Sequence, residues 1–283
     1  MRKGFWLWLA VVVTAVGSVA YAAALPMDFS PAPAAAEQNY LSDHEYRDDT
    51  LHVLIEEQTM DDSVYHIAHV EITDPSQLRT ALSCDPGQNS KAPASTMANA
   101  NNAVIAINGD SYLYRTSGYI MRQGQVLRKS FSTKLDLLLV DDAGDFHALR
   151  KPTRAGFTDL LKNFQITQCL AFGPVLVMDG ELQPIRVNYG FSAQDRSPRT
   201  AIGQVGLLSY VLVVADGRQS QSRGVTHQQM GKMMASLGCT AAFNLDGGGS
   251  STMIFHGKVY NSVSEGAERN ISDIIYFASG LGG

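Results

Sequence analysis

Thr240-Ala-Ala-Phe-Asn-Leu-Asp-Gly-Gly-Gly-Ser-Ser-Thr-Met-Ile254 is the stretch from which the rest of the chain can be read. The apolar run Ala241 to Phe243 has the length of a strand buried on both faces, and it ends abruptly in Asn244 and Asp246. Three glycines, Gly247, Gly248 and Gly249, then lead to the hydroxyls of Ser250 and Ser251. Glycine accepts positive φ and lets a second backbone or a ligand come close, so this order predicts a tight turn whose N–H groups suit an anion. A glycine-rich hairpin loop with no ligand is the plainer alternative.

The same grammar recurs along the chain. The run 103–107 delivers Asn108-Gly109-Asp110, and 210–215 delivers Asp216-Gly217-Arg218. A rigid strand end is where a scaffold presents reactive side chains. Further strands are expected at 51–56 and 64–72, at 118–127 as a hairpin around Gln123-Gly124, and at 135–140 with 145–149. Others are expected at 170–180, entered through Gly173-Pro174, at 201–203 after Pro198-Arg199-Thr200, and at 274–278. Helical spacing is confined to 95–101, 157–163 and 224–238, the last with Thr226 as N-cap, Gly238 at its end and its methionines in the core. The stretch 186–198, polar with Tyr189 and Phe191, is expected as a mobile loop, either an ordinary surface loop or a cover for substrate. The fold class is therefore α+β, with β-rich mixed sheets, a few helices and a single catalytic domain over 40–283.

Arg2 and Lys3 precede an uncharged apolar run, with Ala-x-Ala options ending at Ala22 and Ala24. Residues 1–25 thus read as a signal peptide or an uncleaved N-terminal membrane anchor, and the expected location is extracytoplasmic. Residues 26–39, rich in Pro and Ala, read as a flexible spacer. Across 283 residues, 45% hydrophobic, the net charge is −5 and no basic patch follows the N-terminus, so nucleic acid is not an expected partner. Membrane contact is expected only through the N-terminal segment. Cys84, Cys169 and Cys239 are too few and too scattered for a disulfide scaffold or a Cys-x-x-Cys metal site. His66 and His69 fall on opposite faces of one strand and read as structural.

Gathered at strand ends are the carboxylates Asp110, Asp216 and Asp246, the guanidiniums Arg199, Arg218 and Arg269, and the amides Asn108 and Asn244. Arginine forks and glycine-loop N–H groups bind phosphate, and carboxylates serve the positive charge that develops at an anomeric carbon. A phosphorylated sugar is the matching ligand. The three aspartates also suit a divalent cation such as calcium or magnesium, and the sequence leaves that open.

Asn108-Gly109-Asp110, Phe172-Gly173-Pro174, Pro198-Arg199-Thr200-Ala201-Ile202-Gly203, Asp216-Gly217-Arg218, Asn244-Leu245-Asp246-Gly247-Gly248-Gly249-Ser250-Ser251 and Glu268-Arg269, in this order, resemble the phosphodiester glycosidase family. That family includes a lysosomal enzyme that removes N-acetylglucosamine from a phosphodiester, and bacterial envelope proteins of exopolysaccharide biosynthesis. The resemblance spans roughly residues 51–278 and implies hydrolysis of a sugar-1-phosphodiester at its glycosidic bond. On that footing Arg199, Arg218 and the turn Gly247 to Ser250 belong near the phosphate. Asp246 or Asp110, with Asp216 as a third candidate, serves the anomeric carbon or the attacking water. Asn108 and Asn244 meet substrate hydroxyls, Gly173, Thr200 and Ser251 complete the substrate contacts, and Arg269 supports the site from behind.

Two other readings compete. A non-catalytic envelope protein would hold a phosphorylated glycan in the same pocket, although bare carboxylates repel phosphate. A nucleotide-binding enzyme would need a Gly-x-x-x-x-Gly-Lys or Gly-x-Gly-x-x-Gly spacing that the triple glycine lacks.

Overall fold

The computed structural model describes residues 24–185 and 194–281. They form a single α+β domain built from three sheets with three α-helices. The large sheet runs in the order Tyr40–Ser42, Glu45–Arg47, Leu51–Met60, Ser63–Ile72, Ser209–Ala215, Arg199–Gly206, Ala241–Asn244, Val175–Met178, Glu181–Leu182. A second sheet orders Phe146–Leu149, Asp136–Asp141, Ile166–Phe172, Gly118–Arg122 and Gln125–Ser130. The third orders Lys258–Val259, Met253–Phe255, Ile105–Asn108, Asp273–Phe277 and Leu78–Leu82. Mixed sheets were the expectation, but every pairing among these strands is antiparallel.

Alternation along the strands explains the layering. In Ser209–Ala215 the side chains of Tyr210, Leu212 and Val214 enter a central core that all three sheets share, together with Ile105, Ile107, Leu138 and Phe243. Val211, Val213 and Ala215 point the other way, onto Met230, Met233 and Met234 of the helix His227–Ser236. A strand covered on both sides reads as an unbroken apolar run, which is why 210–215 carries no polar alternation. Helix Arg154–Asn163 covers the outer face of the second sheet through Phe157, and helix Ala94–Ala100 covers that of the third through Met97. The stretch 170–180 is two strands, not one. It changes sheet at a cis Gly173–Pro174 bond, where Gly173 has φ 93°.

Residues 26–39, expected as a flexible spacer, lie along the domain instead. The cause is Arg79, a buried guanidinium that donates to the backbone carbonyls of Pro26 at 2.8 Å, Asp28 at 3.1 Å and Ser30 at 3.1 Å. A buried charge needs acceptors, and the N-terminal backbone supplies them. Leu25 and Ala32 add apolar contacts to the third sheet. All three cysteines are free thiols. The positively charged N-terminus and residues 186–193 of the loop expected over 186–198 lie outside the described residues. Among the described residues no helix is long and apolar enough to cross a membrane.

Candidate active site

Four strand ends meet at one place, those of Ile105–Asn108, Arg199–Gly206, Ser209–Ala215 and Ala241–Asn244. Asn108 joins them. Its amide nitrogen donates to the Asp246 carbonyl at 2.8 Å, and its oxygen accepts from the Thr200 hydroxyl at 2.7 Å and the Thr252 N–H at 3.2 Å. Asn108 and Thr200 were expected to touch substrate, but they are buried and spent on this brace. Asn244 does similar work, donating to Gly173 O at 3.0 Å and Leu245 O at 2.8 Å, while Gly173 N donates back to Asn244 O at 3.2 Å. Its side-chain oxygen is buried and has no partner among the described residues.

The glycine turn closes against Pro198. Gly248 N donates to Pro198 O at 2.9 Å, and a Cβ on Gly247 would stand 2.9 Å from that same carbonyl. Ser250 N and Ser251 N close the short 3-10 turn Gly248–Ser250 by bonding Gly247 O at 3.3 Å and Gly248 O at 3.1 Å. The expected row of donors is therefore partly used within the protein. The hydroxyls of Ser250 and Ser251 are a different matter: both are buried, and neither has a partner among the described residues.

Of the three aspartates, the structure leaves one accessible. Asp110 is fully buried, its oxygens held by Arg122 Nη2 at 2.7 Å and Ala171 N at 2.7 Å. Arg122 is equally buried and also donates to Asp273 at 2.8 Å. Burial works to lower the Arg122 pKa, but Asp110 and Asp273 outweigh it and hold the guanidinium charged. Burial raises Asp273, with Arg122 pulling the other way. Asp216 is engaged by His66 Nε2 at 2.9 Å, Asn261 Nδ2 at 3.0 Å and Ser262 N at 3.3 Å. Both carboxylates, expected as catalytic candidates, are thus locked into supports. Asp246 alone is half-buried, with the Ser111 hydroxyl donating to its Oδ2. The three aspartates offer no shared cation site, and no group of three or more His, Cys, Asp or Glu side chains could hold a metal among the described residues.

Two arginines flank the turn. Arg218 is exposed, sits at φ 59°, and donates to Ser197 Oγ at 3.4 Å. Its guanidinium lies on the glycines, since a Cβ at Gly248 would be 3.2 Å from Nη2. Arg199 is buried and donates to Val225 O at 3.2 Å, His227 Nε2 at 2.9 Å and Asp195 O at 3.0 Å. Burial, and then the charge of Arg218, lower its pKa to about 10, with Asp195 acting in the opposite sense. Two cations held side by side are an arrangement that an anion would suit. Arg269 pairs with Glu265, and both side chains lie where a Gly249 Cβ would go. Glu268 turns away, accepting from Ser95 N at 2.9 Å and from the Ser95 hydroxyl.

Sequence reasoning missed Ser111, Arg122 and His227. Ser111 directly follows the Asn-Gly-Asp tip and was within reach of the argument. Arg122 and His227 come from a hairpin and a helix start, where polar residues are ordinary and no strand-end motif sets them apart.

The fold is shared with proteins of known structure. The zebrafish N-acetylglucosamine-1-phosphodiester alpha-N-acetylglucosaminidase catalytic domain, in a form auto-inhibited by its pro-peptide, shares the fold with a TM-score of 0.65. The two are 21% identical, with 87% of each chain covered. A putative exported protein from Burkholderia pseudomallei superimposes with a TM-score of 0.53 at 17% identity, covering 77% of this chain and 74% of that one. The SPbeta prophage-derived uncharacterized protein YomE of Bacillus subtilis is 30% identical over 196 residues, or 67% of this chain. The chain spans 30% of that relative's length. The profile of the phosphodiester glycosidases matches residues 101–278, a span that holds every strand end of the site, and the chain belongs to the phosphodiester glycosidase family.

Proposed function

We propose that the chain is a hydrolase that cleaves the glycosidic bond of a sugar-1-phosphodiester, leaving phosphate on the aglycone, and that it acts outside the cytoplasm on an envelope or extracellular glycan. One observation carries this reading: the accessible carboxylate of Asp246 leads directly into a glycine turn on which Arg218 lies, with Arg199 behind it. Arg199 and Arg218 bind the phosphoryl oxygens, and Ser250 and Ser251, whose buried hydroxyls have no partner among the described residues, belong to the same turn. A phosphate leaves readily once its charge is met by arginines, so the site does not need the second carboxylate, a general acid, that ordinary glycoside hydrolysis uses. The remaining demands are stabilisation of an oxocarbenium-like carbon and a proton acceptor for water, and Asp246 meets both when ionised. The Ser111 hydroxyl donates to Oδ2 of Asp246 and fixes the orientation of the carboxylate.

Family membership and the fold support hydrolysis of phosphodiester-linked sugars. The exported relative and the apolar N-terminal run support an extracytoplasmic place, with any membrane contact made by that run. The test is release of free N-acetylglucosamine from a synthetic N-acetylglucosamine-1-phosphodiester by wild type and Asp246→Asn. Turnover by wild type, lost at least a hundredfold in the variant, is the expected result. Binding without turnover across a panel of sugars would replace this reading with that of a glycan-holding protein.

A further inference from the structure

His227 is a buried imidazole that the reaction described above does not use. It occupies the first position of the helix His227–Ser236, fixed there by the reciprocal cap between Thr226 and Gln229. Two residues earlier, Val225 is clamped to Ser197 by backbone bonds of 2.9 Å and 3.2 Å. The chain therefore presents two acceptors side by side, Val225 O and His227 Nε2, and both take hydrogen bonds from the Arg199 guanidinium. Arginine has only donors, so Nε2 must be the acceptor and the ring proton of the neutral form sits on Nδ1. That N–H is buried with no partner among the described residues. Simple packing would favour an apolar side chain there, because buried polar groups are ordinarily paired.

We infer that His227 is a positioning residue for the phosphate subsite: it orients Arg199 through an uncharged acceptor, so that the contact fixes the guanidinium without cancelling its charge. A carboxylate at this position would orient Arg199 equally well and compete with the phosphate for it. An apolar residue would leave the charge intact and the direction unset. The low proton affinity of the ring, imposed by burial and then by Arg199, keeps it an acceptor at any pH above about 3. The inference rests on the reading of Arg199 as a phosphate ligand.

The test is calorimetric titration of N-acetylglucosamine 1-phosphate into the full chain, with turnover of the phosphodiester measured alongside. His227→Gln, which keeps an acceptor at a similar reach, should weaken binding by about threefold at most, and His227→Ala by roughly tenfold, the worth of one hydrogen bond to a charged group. His227→Glu should weaken it by about a hundredfold while melting no lower than His227→Ala, an effect that loss of packing alone would not produce. Unaltered affinity in the Ala and Glu variants, with binding still abolished by Arg199→Met, overturns the inference and leaves the phosphate role of Arg199 standing. Wild type that binds no sugar phosphate overturns both. Wild type that binds in the expected order of variants but releases no sugar supports the inference and overturns only the hydrolase reading.

Discussion

Asn108 donates its side-chain amide to the backbone carbonyl of Asp246 at 2.8 Å, a bond between residues 138 apart in the chain. With Thr200 and Thr252 on its oxygen, this one side chain ties the third sheet to the large sheet directly beneath the accessible carboxylate. Asn108→Ala would leave the buried Thr200 hydroxyl and the Thr252 N–H without their acceptor. The expected loss is roughly 2–3 kcal/mol of unfolding free energy, read from urea titration. Turnover should fall through kcat as Asp246 loses its support. An unchanged stability with only KM raised would mean that Asn108 contacts substrate after all.

Arg122 is the only guanidinium bonded to both Asp110 and Asp273 among the described residues, and none of the three is exposed. Removing it strands two carboxylates in the interior. Arg122→Met should cost about 3–5 kcal/mol, because breaking a buried ion network leaves uncompensated charge. Asp246→Asn, by contrast, should keep the wild-type melting temperature while losing turnover. A differential scanning calorimetry comparison of the two separates support from chemistry, and equal melting temperatures would refute the structural role given to Asp110.

The glycines around the site are not equivalent. A Cβ on Gly217 would lie 2.6 Å from Gly224 Cα and 2.7 Å from Pro198 N, both backbone atoms that hold the Arg218 and Arg199 segments together. Gly217→Ala should therefore destabilise by about 1–3 kcal/mol and lower activity with it. On Gly249 the same methyl would meet the ends of the Glu265 and Arg269 side chains, which are partly exposed and free to swing. Gly249→Ala should fold normally and show any loss in substrate affinity alone. Chemical denaturation alongside steady-state kinetics distinguishes the two patterns.

How much of this was legible depended on whether a feature is local. Buried strands that end in polar residues announce themselves in sequence, and 103–110, 210–218 and 240–252 were read as what they are. The capped helix at Thr226 and the hairpins around Gly124 and Asp141 to Gly144 followed from turn chemistry in the same way. Partnership was not legible. Asp110, Asp216 and Asp246 look alike in sequence, and only the fold shows that Arg122 and His66 have claimed the first two. Composition also misjudged 26–39, because the acceptors that hold Arg79 are backbone carbonyls and carry no side-chain signal.

His227 gives the domain a pH dependence whose sign can be worked out. Burial first, and then the Arg199 charge, lower its pKa from 6.5 to about 3. The unfolded chain therefore takes up a proton near pH 6.5 while the folded chain refuses it until about pH 3. The stabilisation is complete above pH 6.5 and is lost as pH falls through that window, at up to about 1.4 kcal/mol per pH unit for one proton. Carboxylates begin to titrate lower down, and the chain has six other histidines, so the comparison of wild type with a variant at this one position isolates the ring. His227→Gln does not titrate, and its unfolding free energy should be flatter than that of wild type over this range. Parallel slopes in urea unfolding at half-unit pH steps would show that the ring is already exposed to protons in the folded state, and that the neutral contact to Arg199 is not maintained.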